Sequence, residues 1–469
     1  MASVKLERWK LVLTDWITAN ISFMLFNVLR YFESPSYSSS FESAISYIFS
    51  TKLCIEQLIA PFILVGLYWL SGFYNNPFGK SRFNELLNTG ITSAIATVLL
   101  HLALLTNDQF DDIISNLLEF GLIFIIFFFF TFIGRLIVIN IQIKHFKNRD
   151  WKETAVIVGN SKKAHYFAEK MLESKAVIGY SIEGFFKIPG EKDSNYDAMD
   201  IDELADFCKE RNIDQIILAP EKSKENNVLK LVYRLFPIGI PIKLSPDLIN
   251  FMTSSIKLKD IYGFPLVDLT HSSISEAEKN IKRSIDVVVS FITLIVLSPL
   301  FAVLALWVKS DSKGPVFYRQ ERIGLKERPF QIIKFRTMGT DAENDGPQLS
   351  SDNDPRVTKS GKIMRKYRLD ELPQFWNVLK GEMSLVGPRP ERKFFINQII
   401  KRAPYYTLLY QTRPGITSWG MVKYGYASKI DEMVERSKYD LLYISNMSVL
   451  VDFKIMLYTV LTILEGKGK

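Results

Sequence analysis

The sequence predicts three structural units: a membrane α-helical bundle of four transmembrane helices at 1–148, an α/β unit at 149–270, and an α-rich monotopic unit at 276–469. Three observations support this. Four apolar stretches of about 20 residues open the chain, alternating short strands and amphipathic helices follow, and a fifth apolar stretch with basic flanks begins the last unit. The length of 469 residues also exceeds what one core usually holds.

Composition agrees with a chain that is part membrane-embedded and part water-exposed. Hydrophobic residues make up 48% of the sequence, and the mean hydropathy is +0.08. The net charge of +8 favours anionic lipid headgroups or phosphorylated substrates as partners, and we expect no nucleic acid among them. Composition leaves the oligomeric state open, a homo-oligomer included.

The four apolar stretches cover 9–31, 53–74, 87–105 and 117–143, and each is long enough to cross a bilayer as a helix. Positive residues stay on the cytoplasmic side of a membrane, so loop charges predict the orientation. Basic residues lie before the first stretch and in the second loop, whereas the third loop is acidic. They are Lys5, Arg8, Lys10, Lys80 and Arg82, against Asp108, Asp111 and Asp112. Both ends of the bundle are therefore predicted to face the cytoplasm.

Three charged residues, Asp15, Glu56 and Arg135, fall inside the predicted spans. Ionisable residues at membrane depth are candidates for function. For all three, however, pairing between helices or snorkelling to the interface is the expected explanation.

The middle unit has the pattern of a small parallel sheet. Strands are predicted at 155–158, 177–186 and 215–218, with helices at 162–172 and 201–210 between them. The first strand-to-helix turn retains a single glycine, Gly159, where a dinucleotide-binding loop carries several. We therefore predict a degenerate Rossmann-like α/β domain with an interaction or regulatory role.

The fifth apolar stretch, 284–308, has basic residues at both ends, and this pattern disfavours crossing the membrane. Ser298 and Pro299 lie just past its middle, where the proline removes a backbone donor and kinks a helix. We predict a re-entrant helix that enters the cytoplasmic leaflet, breaks at Ser298 and Pro299, and returns to the same side. The alternative is an ordinary kinked fifth span.

A series of motifs follows this stretch. In order they are GPVFYRQERIG at 314–324, KFRTM at 334–338, RLDELPQ at 368–374, NVLKGEMSLVGPRPE at 377–391 and RPGIT at 413–417. From about residue 276 to the end, this series resembles the bacterial sugar transferase family, the monotopic polyprenyl-phosphate sugar-phosphate transferases. The four spans and the middle unit are similar to the long-form members of that family.

The resemblance implies an activity and a location. A sugar 1-phosphate would move from a UDP-sugar to a polyprenyl phosphate, such as undecaprenyl phosphate, with release of UMP. The reaction would initiate exopolysaccharide, capsule or O-antigen synthesis at the cytoplasmic side of the bacterial cytoplasmic (inner) membrane. A multi-pass membrane protein with its catalytic domain on that side fits the predicted orientation.

The motif residues also suit this chemistry on physical grounds. A diphosphate repels an anionic nucleophile, so transfer requires cations around the phosphates. Arginine serves well because its fork binds phosphate oxygens in pairs. The candidates for substrate binding are Lys334, Arg336, Arg365, Arg389 and Arg413.

Two neighbouring carboxylates, Asp370 and Glu371, are the predicted catalytic pair. We expect Asp370 at the N-cap of a short helix that tolerates Pro373, with Glu371 turned away from it to hold Mg²⁺. The resemblance implies that Asp370 attacks the sugar-bearing phosphorus and forms an aspartyl phosphosugar intermediate. The alternatives are simple capping for Asp370 and a solvated first-turn charge for Glu371.

Two other functions are alternatives to this one. A membrane-anchored nucleotide-sugar dehydratase also combines four spans with a Rossmann fold, but it requires an intact glycine-rich loop. A non-catalytic scaffold for polysaccharide assembly would bind partners through the middle unit and release no UMP.

Overall fold

The computed structural model describes residues 2–33, 35–75, 77, 82–105, 113–147, 152–173, 179–189, 196–220, 225–245, 267–268, 274–340, 342, 346 and 354–464. The predicted loop charges Lys80, Asp108, Asp111 and Asp112 lie outside these residues.

The N-terminal region is a helical bundle. Its helices are α1 (Ala2–Glu33), α2 (Pro35–Ser40), α3 (Ala44–Ile48), α4 (Thr51–Leu70), α5 (Arg82–Leu105) and α6 (Ile113–Lys147). Among the described residues, α1, α4, α5 and α6 are each long and apolar enough to cross a membrane. Leu11, Phe26 and Phe127 lie in the interior of the bundle, while many apolar side chains face outward, as lipid contact requires.

A buried ion cluster ties three of these helices together. The guanidinium of Arg135 on α6 lies 2.8 Å from Asp15 on α1 and 2.8 Å from Glu85 on α5. Tyr74 donates a hydrogen bond of 2.6 Å to Asp15. Asp15 and Arg135 therefore show the interhelical pairing that their positions predicted.

The middle region is a five-stranded sheet with helices packed against it. Its strands are β1 (Lys152–Val158), β2 (Gly179–Phe186), β3 (Gln215–Leu218), β4 (Ile242–Leu244) and β5 (Val267–Asp268); the helices are α7 (Lys162–Glu173), α8 (Leu204–Glu210) and α9 (Glu225–Leu235). The strand order is β2-β1-β3-β4-β5, parallel except for the β4–β5 pair. β1 and β3 are fully buried along 155–158 and 215–218, which explains their continuous apolar runs.

Gly159 ends β1 in a backbone conformation with φ of +146°. A Cβ at this position would lie 2.3 Å from the carbonyl oxygen of Ala219, which follows β3. The glycine is therefore required by the close approach of two neighbouring strand ends, independently of any bound nucleotide.

The C-terminal region is rich in helices, with two short sheets. Helices α10 (Glu276–Val296) and α11 (Ser298–Asp311) precede the hairpin of β6 (Phe317–Ile323) and β7 (Pro329–Phe335). The remaining α-helices and strands are α12 (Lys359–Lys366), α13 (Gln374–Lys380), β8 (Ser384–Val386), α14 (Lys393–Arg402), β9 (Gly415–Thr417), α15 (Trp419–Lys423), α16 (Ile430–Ser445) and α17 (Val449–Leu464). Strands β8 and β9 pair in parallel.

Helices α10 and α11 form one broken apolar segment. A capping box of Ser275 and Glu278 begins α10, and the axes of α10 and α11 differ by 63° at Leu297. Pro299 occupies the first turn of α11, where its missing amide hydrogen costs little, and Ser298 donates a hydrogen bond of 2.7 Å to the carbonyl of Ile295. The bend therefore falls at the predicted residues.

Candidate active site

One cavity of about 410 Å³ lies in the C-terminal region, between the β6–β7 hairpin and the segments that follow α12 and β8. It has a strongly basic lining. Among the described residues, eight arginine or lysine side chains and three carboxylates line it: Arg322, Lys334, Arg336, Arg356, Arg365, Arg389, Arg392 and Arg436, with Asp370, Glu371 and Glu391. Such an excess of cations around one cavity favours an anionic ligand.

The carboxylate pair is presented by a tight turn. Arg368 has a left-handed backbone, with φ of +55°, and reverses the chain after α12. A 3₁₀ turn, Leu369–Glu371, then holds Asp370 and Glu371, which are 8% and 5% exposed. Pro373 is the N-cap of α13, where its ring fits the start of the helix.

The expected N-cap role of Asp370 is wrong. Arg368 caps the 3₁₀ turn and Pro373 caps α13, so Asp370 lies inside the turn between them. The left-handed residue before it explains the difference, since the chain reverses there and does not run straight into α13. Asp370 lines the cavity with its side chain instead of bonding to a helix N-terminus.

Glu371 is surrounded by three cations. Its carboxylate lies 2.8 Å from Lys334 Nζ, 3.4 Å from Arg389 Nη2 and 3.6 Å from Arg368 Nη1. Burial opposes the ionisation of Glu371, but these three charges outweigh burial and hold its pKa well below the usual range. Glu371 is therefore a permanent anion at the centre of the basic cavity.

Asp370 has the opposite balance. Burial raises its pKa to about 6, and the negative charge of Glu371 acts in the same direction, although Lys334 opposes both. At neutral pH this carboxyl group is largely ionised, yet it is poorly solvated. A buried and lightly stabilised carboxylate is a better nucleophile than one in water.

Lys334 is aligned by the hairpin and by α13. On α13, the side chain of Asn377 accepts a hydrogen bond of 3.1 Å from the amide of Ile333 and donates one of 2.7 Å to the carbonyl of Gln331. Asn377 thereby joins α13 to β7, which positions Lys334 beside Glu371.

The other predicted cations differ in placement. Arg365 and Arg389 line the cavity with the carboxylate pair, and Arg365 donates to Thr337 at 3.0 Å. Arg336 also borders it, but its terminal nitrogens donate to the carbonyls of Ser312 and Lys313, at 2.7 and 2.9 Å.

Arg413 is not among the residues that line this cavity. Its Nε donates a hydrogen bond of 2.8 Å to the carbonyl of Gly381. Its guanidinium is therefore engaged with the backbone after α13. Substrate contact by Arg413 stays a prediction.

Sequence reasoning assigned no role to several residues of the cavity. Glu391 pairs with Arg436 at 2.6 Å and with Arg322 at 3.1 Å, and these charges outweigh its burial and lower its pKa. The ring of Tyr426 packs against Arg368 and Arg389. Tyr426 and Arg436 follow the last motif, and no local pattern distinguishes them from other residues of their segments.

The carboxylate pair also meets one requirement of a magnesium site. Mg²⁺ is usually held by one or two carboxylates together with substrate phosphates. Among the described residues there is no group of three or more His, Cys, Asp or Glu side chains suited to a metal. Glu371 therefore fits Mg²⁺ only together with oxygens that a phosphorylated substrate brings.

Two parts of this chain match known protein families. Residues 277–466 match the family model described as bacterial sugar transferase, and residues 70–246 match one described as a CoA-binding domain. The second match begins at the end of α4 and includes α5, α6 and β1–β4.

Curated relatives match parts of this chain. A UDP-N-acetylgalactosamine-undecaprenyl-phosphate N-acetylgalactosaminephosphotransferase from Aeromonas hydrophila is 40% identical, over 49% of this chain and 53% of the relative. A UDP-glucose:undecaprenyl-phosphate glucose-1-phosphate transferase from Escherichia coli is 32% identical, over 67% of this chain and 68% of the relative. The chain thus spans about half to two thirds of the length of these relatives.

Proposed function

Because the chain belongs to the bacterial sugar transferase family, we propose that it transfers a sugar 1-phosphate from a UDP-sugar to undecaprenyl phosphate or a similar polyprenyl phosphate, with release of UMP. The observation that carries this proposal is the basic cavity with two buried carboxylates of opposite pKa shift. The names of the relatives support the substrate classes, and the reaction would begin the synthesis of an exopolysaccharide, capsule or O-antigen.

The two carboxylates have different roles in the proposed reaction, one as nucleophile and one as a fixed anion. Asp370 attacks the sugar-bearing phosphorus, a bond forms between its carboxylate oxygen and that phosphorus, and the phosphoanhydride bond to UMP breaks. UMP leaves with the bridging oxygen. A phosphate oxygen of the polyprenyl phosphate then attacks the same phosphorus and releases the Asp370 carboxylate. Glu371 stays ionised throughout and keeps the Lys334 and Arg389 side chains in place.

The surrounding cations serve both steps. Lys334, Arg365 and Arg389 lower the repulsion between the Asp370 carboxylate and the anionic diphosphate. Arg336 and Arg413 are further candidates for phosphate contact. Magnesium, held by Glu371 and by substrate oxygens, would add charge neutralisation of the diphosphate when bound.

The broken helix accounts for access to a lipid substrate. Early in α10, Arg283 donates to the carbonyls of Val378 and Leu379 on α13, while late in α11, Val308 packs on Phe335 and Met364. Both ends of the segment therefore contact the same folded region. This supports a re-entrant segment that breaks at Ser298 and Pro299 and returns to the cytoplasmic side.

Between these anchored ends, the apolar side chains of the segment are exposed. Their exposed fractions are 54–72% for Val288, Phe291, Ile295, Val303 and Leu306. We propose that they face the acyl chains of the cytoplasmic leaflet of the inner membrane, with the units at 1–148, 149–270 and 276–469 arranged as a bundle, a Rossmann-like domain and a catalytic domain.

A panel of UDP-sugars tests the proposed activity. Purified protein in vesicles with undecaprenyl phosphate and Mg²⁺ should release UMP from at least one UDP-sugar and make a lipid-linked sugar diphosphate. A nucleotide-sugar dehydratase would change the sugar and release no UMP, and a scaffold would leave every UDP-sugar intact.

A further inference from the structure

The turn after α4 fits closely against the first turn of α10. Gly72 in this turn has φ of +79°, and a Cβ there would lie 2.7 Å from the backbone carbon and from the Cβ of Glu276. Any side chain at position 72 would therefore push the two segments apart. The membrane bundle and the C-terminal region meet here at backbone distance.

Two asparagines, Asn75 and Asn280, link the same two segments through their side-chain amides. Asn75 donates a hydrogen bond of 2.7 Å to Glu276 Oε2 and one of 3.2 Å to Asn280 Oδ1. In return, Asn280 donates to the carbonyl of Trp69 at the end of α4. Asn280 is only 7% exposed, so these bonds satisfy polar atoms that would otherwise be buried without partners.

The turn is held firmly by the bundle. Arg8 on α1 donates to the carbonyl of Tyr74 at 3.0 Å, and the hydroxyl of Tyr74 reaches Asp15 in the buried ion cluster. Because that cluster joins three spans, the position of the turn is set by the bundle as a whole.

The next turns of α10 are hydrogen-bonded to the region around the carboxylate pair. Arg283 binds the last carbonyls of α13, whose N-cap, Pro373, is two residues after Glu371. Lys282 donates to the carbonyl of Val386 at 2.8 Å. A displacement of α10 would therefore move α13 and the carboxylate pair with it.

We propose that Gly72, Asn75 and Asn280 form a docking joint through which the membrane bundle sets the depth of the broken helix. The height of Asp370 relative to the lipid phosphate then depends on this joint. Asn280 acts as a positioning residue: it touches neither substrate nor carboxylate pair, but it fixes α10, whose Arg283 binds α13 next to that pair. This inference rests on the proposed transfer to a membrane lipid.

Measuring the two half-reactions separately distinguishes a change in the position of the active site from a change in its chemical steps. The UDP-sugar arrives from water, whereas the acceptor phosphate lies at a fixed membrane depth. Asn280→Ala and Asn75→Ala should therefore raise the KM for undecaprenyl phosphate about tenfold, the size expected when a buried hydrogen-bonded amide is lost. The lipid-independent burst of UMP should keep its wild-type rate and amplitude.

Controls make the result decisive. Asn140→Ala changes an exposed asparagine on α6 and should leave both half-reactions unchanged. Asn75→Ala combined with Asn280→Ala should be little worse than either alone, since the two amides share one set of bonds. The proposed docking joint would be refuted by an unchanged KM for undecaprenyl phosphate in both single variants. It would also be refuted if the lipid-independent burst of UMP fell by the same factor as the KM rises.

A depth measurement tests the joint without relying on activity. Leu306, which is 72% exposed on α11, is replaced by cysteine in a Cys54→Ser chain, labelled with a fluorophore and quenched by brominated lipids. Asn280→Ala should change the quenching, whereas equal quenching with and without it would refute the inference. A wild-type protein that releases no UMP would refute the proposed function instead, and the quenching comparison would still stand.

Discussion

Two clusters of charged side chains, one in the membrane bundle and one in the cavity, differ in how fully their cations are paired. In the bundle, Arg135 uses all three nitrogens on Asp15, Glu85 and Thr89 within 2.9 Å. In the cavity, three cations share Glu371 at 2.8–3.6 Å. A cluster in which every nitrogen of the cation has a partner joins helices together. A cavity in which several cations share one carboxylate is suited to an incoming anion.

Neutralisation of Asp370 should reduce activity more than any other single change in the cavity. Asp370→Asn keeps the size of the side chain but removes the carboxylate that we propose as the nucleophile, so turnover should fall by about 10⁴-fold or more. The rate of UMP release with lipid present measures it. Wild-type turnover in this variant would reduce Asp370 to a structural residue.

Removal of a cavity cation should have the next largest effect. Lys334→Met deletes the shortest ion pair of Glu371, and the loss of a charge that stabilises the transferring phosphoryl group should cost about 10²- to 10³-fold in kcat. Lys366→Met, an exposed lysine at the end of α12, is the matched control. If both variants behave alike, the cavity charge has no special role.

The pH dependence tests the buried state of Asp370. Its raised pKa of about 6 means that the reactive carboxylate is lost as the pH falls through that value. The UMP burst rate should therefore drop roughly tenfold per pH unit below 6 and level off above it. Stopped-flow or quench-flow measurements between pH 5 and 8 give the profile, and a flat profile would mean that Asp370 titrates like a solvated aspartate.

Disruption of the ion cluster in the bundle should lower the free energy of unfolding but leave the burst of UMP unchanged. Arg135→Met leaves Asp15 and Glu85 buried without their cation, which should cost about 3–5 kcal/mol of unfolding free energy. Folded molecules should still give a wild-type burst per enzyme. Glu56→Gln, a partly buried charge on α4, serves as the control in a thermal-unfolding assay in detergent. Equal stability of both variants would remove the structural role of the cluster.

Much of the local structure was predictable because periodicity decides it. The continuous apolar runs of β1 and β3 correspond to strands buried on both faces, and the basic flanks and Pro299 marked the broken helix. Asp370 and Glu371 were found through their motif, and they line one cavity with Lys334.

The remaining features depend on tertiary contacts. The left-handed conformation of Arg368 is set by its surroundings, since arginine has no preference for it. Tyr426 enters the site only when the chain folds back over Arg368 and Arg389. Asn75 and Asn280 meet across 205 residues of sequence, and no local pattern carries such a contact.

We propose that Asp370 carries the sugar phosphate between donor and lipid, and a single-turnover experiment can detect this covalent intermediate. With sugar-labelled UDP-sugar, Mg²⁺ and no lipid, we expect one UMP per enzyme and label on the tryptic peptide 369–380. Hydroxylamine should release the label and leave a hydroxamate at Asp370, as an acyl phosphate requires. Release of UMP only when polyprenyl phosphate is present, or a label on another peptide, would show that Asp370 does not carry the sugar phosphate.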